Sequence, residues 1–145
     1  MFKKIVVASD FSANADRALA FAMDLARHHH SQLDIVHAYA PGVYVLPPPF
    51  DVISLAPSAP QFDHMAELME IRANQVRAQG LPVTTESVSG PPEEAVVTYA
   101  NQVGADLLVI GSRGLGVIAH ALLGSVAEKI VRHAPCPVLV VPQPK

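Results

Sequence analysis

Five short apolar runs, separated by longer segments with helical spacing, limit the folds open to this chain more than any other feature. The runs are residues 4–8, 33–38, 82–88, 107–110 and 137–141. Strands that are buried on both faces of a parallel sheet are typically short, continuous apolar runs of this kind. The pattern therefore predicts five parallel strands.

Four intervening segments have the signals of helices. The first follows Ser12 and repeats apolar residues at helical spacing, residues 61–79 and 91–103 end at glycines, and the last helix covers residues 125–133. This alternation predicts one domain over residues 1–145, a Rossmann-like, doubly wound α/β fold with a five-stranded parallel sheet of order 3-2-1-4-5 and helices on both faces. Ligands bind such sheets beyond the carboxyl ends of the strands, so we expect a site in the loops after strands one, two and four.

The charge and cysteine content exclude several classes of protein. Ten Lys and Arg residues against thirteen Asp and Glu residues give a formal charge of −3, and the basic residues are scattered, which argues against nucleic-acid binding. No apolar run approaches the length of a membrane-spanning helix, and no secretory signal is recognisable. The single cysteine, Cys136, fits a reducing compartment, so we expect a cytoplasmic protein without membrane contact.

The connection at residues 41–60 is too long to be a simple crossover loop. It contains six of the thirteen prolines and no cationic residue, while its many apolar residues argue against disorder. Three roles remain open for it: a flap over the protein's own site or sheet edge, a surface for a partner or a second copy, or a linker.

A glycine-rich stretch, residues 111–125, follows the fourth predicted strand. It is not a Walker A loop, because Val117 and Ile118 stand where that motif needs Lys and Ser or Thr. It is not a dinucleotide fingerprint either, since no acidic residue ends the following strand, residues 137–141.

Two interpretations of this stretch remain. In the structural one, the glycines at 111, 114 and 116 permit positive φ angles, and Ser125 forms a capping box with Glu128. In the functional one, the glycines and the start of the helix at Gly124 expose backbone amides that hold a phosphate, with hydroxyl and guanidinium donors beside them.

The spacing Gly111-x2-Gly114-x9-Gly124-Ser125 resembles the nucleotide-binding signature of the universal stress protein family. Residues 123–128 and 133–141 are similar to the closing segment of that family, and the resemblance extends over the whole chain through residues 5–12 and 36–38. It implies a stress-response protein that binds an adenine nucleotide: ATP, or ADP or AMP, with room for Mg²⁺.

The resemblance also implies roles for individual residues. Asp10 would lie near the ribose and phosphates and could approach a bound metal, although it can also be explained as an Asx-turn residue before the helix at Ser12. Ala38 would hold the adenine edge, and Ala8 replaces the proline that is frequent before the acid. The implied nucleotide-binding set is Ala8, Ser9, Asp10, Ala38, Gly111, Ser112, Arg113, Gly114, Gly124, Ser125 and Val126.

Residues 137–141 form an apolar strand at the chain end, which invites a homodimer through strand pairing unless Pro142 and Pro144 protect the edge. Because Arg113 is the only cation in the glycine-rich loop and no second acid accompanies Asp10, we expect at most slow ATP hydrolysis and no catalytic residues. The leading prediction is a dimeric, nucleotide-dependent regulator with an unknown protein partner. The alternatives are a nucleotide-free scaffold of the same fold and a slow ATPase.

Overall fold

The computed structural model describes residues 1–40, 42–45, 48–49, 52–55, 57–114 and 123–144. Strands and helices follow one another in the predicted alternation, with one additional hairpin. The elements are β1 (Lys4–Ala8), α1 (Ala13–His29), β2 (Gln32–Tyr39), β3 (Gly42–Val45), β4 (Val52–Leu55), α2 (Ala59–Ala78), β5 (Val83–Ser89), α3 (Pro92–Gln102), β6 (Leu107–Gly111), α4 (Ser125–His133) and β7 (Val138–Val141).

The main sheet has five parallel strands in the order β5-β2-β1-β6-β7. This confirms the predicted order 3-2-1-4-5, because β3 and β4 lie outside the main sheet. The strand order reverses at β1, which pairs with β2 on one side and with β6 on the other. The carboxyl ends of these three strands therefore meet at the position where such sheets bind ligands.

Each face of the sheet carries its own apolar core, because successive side chains of a strand point to opposite faces. Ile5 and Val7 of β1 pack in one cluster with residues of α1 and α2. Val6 of the same strand packs in the other cluster with residues of α3 and α4. The helices thus lie on both faces of the sheet, as predicted.

The hairpin of β3 and β4 was not predicted. Within residues 41–60, these two strands pair antiparallel with Gly42 opposite Leu55 and form a separate two-stranded sheet. The sequence favours an irregular connection here, because the segment is long and contains six prolines, although its β-branched and aromatic residues are compatible with strands. Which of the three roles this segment has stays a prediction.

Among the described residues, no helix combines the length and the apolar character needed to cross a bilayer.

Candidate functional site

A pocket opens beyond the carboxyl ends of β1, β2 and β6, between the starts of α3 and α4. Its volume is about 450 Å³, which lies within the range of small-molecule sites, roughly 300–1,000 Å³. It lies on the face of the sheet that carries α3 and α4, because Val36, Ile110 and Ile130 belong to the core of that face and also line the pocket.

All residues of the predicted nucleotide-binding set line this pocket except Ser112. Ser112 is buried, and its backbone links three elements: its N–H donates to Val141 O at 2.8 Å, and its carbonyl accepts from Gly124 N–H at 2.7 Å. Ser112 therefore holds the end of β6 against β7 and against the start of α4, whereas the sequence analysis placed it in contact with the ligand.

The pocket also has an apolar lining that the sequence analysis did not assign to the site. Val36 and Ile110 were counted as core strand residues, and α3 contributes Pro92 and Val96. Strand periodicity could have indicated Val36 as part of the lining, because it lies two residues before Ala38 and therefore on the same face of β2. The remaining residues of the lining that were missed are Ala15, Ala127 and Ile130.

The loop between β1 and α1 is held by its own side chains. Ser9 Oγ accepts from Phe11 N–H at 3.2 Å, and Asp10 Oδ1 accepts from Ser12 N–H at 2.9 Å. Ser12 in turn caps α1 by accepting from Ala15 N–H at 3.1 Å. Asp10 therefore forms the Asx-turn that was one of its two explanations, and this turn uses only one of its carboxylate oxygens.

The second carboxylate oxygen of Asp10 faces Gly114. A Cβ atom on Gly114 would lie 2.5 Å from Asp10 Oδ2, and a Cβ atom on Gly111 would lie 2.5 Å from Asn14 Nδ2. The positive-φ interpretation of these two glycines is wrong, because neither has a positive φ. What they permit is the close approach of two loops. Gly116 lies outside the described residues.

Asn14 is a further polar residue beside the pocket that the sequence analysis missed. It is buried in the first turn of α1, and its Nδ2 donates to the carbonyl of Arg113 at 3.1 Å. Its position two residues after the cap residue Ser12 does not indicate a role in a site, because Asn is common near the start of a helix. The bond joins the loop after β6 to α1.

The start of α4 differs from the predicted capping box. Gly124 is the N-cap residue, with φ −69° and ψ 159°, and its carbonyl accepts from Glu128 N–H at 2.9 Å. The Glu128 carboxylate accepts from Arg132 at 2.8 Å and caps nothing. Because Gly124 adopts the extended cap conformation, the helix begins at Ser125, one residue earlier than a capping box with Ser125 as the cap residue would place it.

This shift directs the first amides of α4 at the pocket. The N–H groups of Ser125, Val126 and Ala127 have no acceptor inside the helix, as in the first turn of any α-helix. All three residues line the pocket. Together with the positive end of the helix dipole, they make this end of the pocket suited to an anion.

Two charged residues are found among the described residues that line the pocket, Arg113 and Asp10. No group of three or more His, Cys, Asp or Glu side chains that could hold a metal occurs in the described ranges. Mg²⁺ is usually held by one or two carboxylates together with substrate phosphates. Asp10 therefore fits Mg²⁺ as one ligand beside a bound polyphosphate, and not as a protein-only metal site.

The backbone of Ala38 faces the pocket without a partner from β1. The ladder between β1 and β2 ends at Ala8 opposite Val36, with a final bond from Ser9 N–H to Val36 O at 2.8 Å. Backbone groups two residues apart point to the same side of a strand, so the N–H and C=O of Ala38 point toward β1 beyond its end. They offer one donor and one acceptor side by side.

Comparison with known proteins identifies the family. A model described as the universal stress protein family matches residues 1–142. The chain belongs to this family. A universal stress protein of Thermus aquaticus is 38% identical over 147 residues, covering 97% of this chain and 99% of that protein.

Similar solved structures of the family with bound nucleotides include the following two. One is a universal stress protein in complex with cAMP, with a TM-score of 0.74 and 28% identity over 97% of both chains. The other, from Archaeoglobus fulgidus, is in complex with dAMP, with a TM-score of 0.72 and 25% identity over 96% of this chain and 97% of that one.

Proposed function

We propose that the pocket binds an adenine nucleotide, with ATP as the principal ligand, and that the protein acts as a dimeric, nucleotide-dependent regulator. The observation that carries this proposal is that three amides without an acceptor inside α4 line the same pocket as Arg113 and the closely packed Gly114. The complexes of relatives with cAMP and dAMP support the choice of adenine nucleotides.

The phosphates would lie at the α4 end of the pocket. Backbone amides at a helix start bind anions through N–H donation and through the helix dipole, without needing a lysine. Arg113 adds a positive charge on the same side. Asp10 lies across from Gly114 and would share Mg²⁺ with the phosphates, which would otherwise repel its carboxylate.

The base would lie at the β2 end of the pocket. Val36, Pro92 and Val96 provide apolar surface there for a planar ring. The N–H and C=O of Ala38 complement the N1 acceptor and the N6 donor of adenine, which lie side by side on its Watson–Crick edge. Nucleotide binding would thus follow from the strand-order reversal at β1 and from the early end of the β1–β2 ladder.

The nucleotide would serve as a bound ligand and not as a substrate that is rapidly hydrolysed. Fast phosphoryl transfer requires positive charge around the γ-phosphate and a group that orients the attacking water. Among the described lining residues, Arg113 is the one cation and Asp10 the one acid. We therefore expect bound ATP to act as a signal, with hydrolysis slow at most.

The dimer would form through β7, an edge strand of the main sheet. Its side chains Val138, Leu139 and Val140 are only half-buried in the single chain. The carbonyls of residues 137 and 141 accept from Leu108 N–H in β6 and from Ser112 N–H just after it. The backbone groups of Val138 and Val140 therefore point away from β6. A second copy could pair with them without disturbing the sheet.

Substitution of Ser125 tests the phosphate end of this proposal. Ser125→Pro removes the first free amide of α4, and the fold should tolerate it, because proline suits the first helical position and Gly124 is already extended. Ser125→Ala removes the hydroxyl and keeps the amide, which makes it the matched control.

The assay is calorimetric titration of each protein with ATP and Mg²⁺. We expect the proline variant to bind about tenfold more weakly than the alanine variant, since one charge-assisted hydrogen bond is worth roughly 1.5 kcal/mol. Equal affinities of the two variants, or no binding by the wild type, would refute the assignment of the phosphates to this helix start.

A further inference from the structure

His37 lies behind the pocket, on the opposite face of β2 from Val36 and Ala38, whose side chains belong to the core under α3 and α4. Its Nδ1 is 2.8 Å from the carbonyl oxygen of Ser9, and its ring centroid is 4.3 Å from that of Phe11. Because a carbonyl oxygen only accepts, this contact requires the proton on Nδ1.

The Ser9 carbonyl is the group that a regular parallel ladder would join to Ala38. Since Ser9 N–H donates to Val36 O, the next rung would run from Ala38 N–H to Ser9 O. That rung does not occur among the backbone bonds of the described residues, and the pairing ends at Ala8. The imidazole of His37 takes the carbonyl that Ala38 would otherwise use.

The Ala38 carbonyl likewise lacks the partner that a continued ladder would give it. A continued ladder would bring Phe11 N–H to Ala38 O, but that N–H donates to Ser9 Oγ at 3.2 Å. Phe11 has φ 65°, which turns the chain away from β2 at this point. Among the described residues, neither backbone group of Ala38 therefore has a partner on the β1 side.

Arg72 of α2 fixes Phe11 from the other side. Its guanidinium lies 4.9 Å from the centre of the Phe11 ring, and its Nη2 donates to Phe11 O at 3.3 Å. Arg72 is buried and is itself held by a pair with Asp16, with Nε to Oδ1 at 2.7 Å. The Phe11 ring thus contacts both His37 and Arg72.

We propose that His37 is a positioning residue for the base: by donating to Ser9 O, it keeps the Ala38 N–H free to bind adenine. The ligand in this inference rests on the proposed function. The hydrogen bonds of Ser9 O and Ala38 N–H, in contrast, can be tested in the ligand-free protein. Loss of the Nδ1 donor would let Ala38 N–H bond Ser9 O, which would extend the ladder and remove the donor for adenine N1.

Two substitutions separate the donor of His37 from its bulk. His37→Phe keeps a ring against Phe11 and loses the donor. His37→Asn loses the ring and keeps a donor, because the amide nitrogen of Asn is bonded to Cγ as Nδ1 is in histidine. If the donor is what matters, the asparagine variant behaves like the wild type and the phenylalanine variant does not.

The first measurement is hydrogen exchange of the Ala38 amide in the ligand-free proteins, followed by NMR. We expect rapid exchange in the wild type and in His37→Asn, and exchange slowed by at least about fivefold in His37→Phe, as for a gained hydrogen bond. Equal exchange in all three proteins would overturn the proposal. Should His37→Phe not fold, a protected Ala38 amide in the free wild type would overturn it equally.

The second measurement is titration with ATP and, separately, with ribose 5-phosphate, which lacks the base. His37→Phe should weaken ATP binding by about fivefold, the value of one hydrogen bond, and leave ribose 5-phosphate unchanged. An equal loss for both ligands would show a general structural role and contradict the proposal. If the wild type binds neither ligand, the proposed function fails, and exchange at Ala38 still decides the role of His37.

Discussion

Alanine at position 114 tests the close approach of the two loops that form the pocket. The added Cβ atom would lie 2.5 Å from Asp10 Oδ2, whereas ordinary contacts begin at 3.4 Å, so the carboxylate must retreat by about 0.9 Å. A free side chain could move at little cost. Asp10 cannot, because its other oxygen accepts from Ser12 N–H at 2.9 Å.

The expected loss of stability combines that hydrogen bond with local overpacking. The bond is worth about 1 kcal/mol and mild overpacking costs about 1 kcal/mol more, so Gly114→Ala should lower the free energy of unfolding by about 2 kcal/mol. For a chain of this length, the melting temperature should fall by about 4–8 °C. Urea denaturation monitored by circular dichroism measures the first quantity directly.

A double-mutant cycle with Asp10→Ala provides the control. Without the carboxylate, position 114 has room for Cβ, and its φ is not positive, so Gly114→Ala should then be neutral or slightly stabilising, by about 0.5 kcal/mol. The coupling between the two positions should thus be close to 2 kcal/mol. Additive effects, with the same loss in both backgrounds, would refute close approach as the reason for this glycine.

Three further predictions concern pH, turnover and assembly. Two backbone hydrogen bonds, from Lys4 and Lys3, lower the pKa of Asp106, so its stabilisation is complete above the unfolded-state pKa of about 3.9 and is lost as the pH falls through the lower folded-state pKa. Asp106→Asn should therefore melt at a lower temperature than the wild type at pH 7, and this difference should shrink as the pH falls below the unfolded-state pKa, which thermal scans at several pH values would check. Steady-state phosphate release from ATP and Mg²⁺ should stay below about 10⁻² s⁻¹, and a rate near 1 s⁻¹ that Asp10→Ala abolishes would contradict this. Val140→Pro should yield a monomer in analytical ultracentrifugation while Val140→Ala remains a dimer, because only proline removes an outward N–H of β7; a dimer of both variants would place the interface elsewhere.

The main sheet was predictable because its strands are apolar runs with little ambiguity. Residues 107–110 have no polar member and lie between two helical patterns, so they could only be a buried strand. The hairpin was not predictable in the same way. In residues 42–45 and 52–55, strand-forming residues lie among six prolines, and local propensity alone cannot decide between a strand and an irregular loop.

The pocket could be located from the sequence, but its geometry could not. The order of strands places Asp10, Ala38 and Gly114 at one edge of the sheet, and this follows from topology. The approach of Asp10 to Gly114 and the bond from Asn14 to Arg113 O join residues about one hundred positions apart. Such contacts depend on how loops of the fold pack against each other, and periodicity carries no information about them.

The start of α4 shows how a local rule can fail by one residue. Ser125 and Glu128 have the spacing of a capping box, but Gly124 takes the extended cap position and Glu128 pairs with Arg132 instead. Glycine is an acceptable cap residue, so the sequence offers two starts for this helix. The choice was decided by the bond from Gly124 N–H to Ser112 O, which fixes Gly124 outside the helix.

The central claim is that an adenine nucleotide binds at the edge where β1, β2 and β6 end. An NMR titration of the ¹⁵N-labelled protein with ATP and Mg²⁺ tests it most directly. We expect saturable shifts that are largest at the amides of Ala38, Gly114, Ser125 and Val126. No shifts, or shifts confined to the opposite ends of the strands, at Lys4 and Asp106, would contradict it.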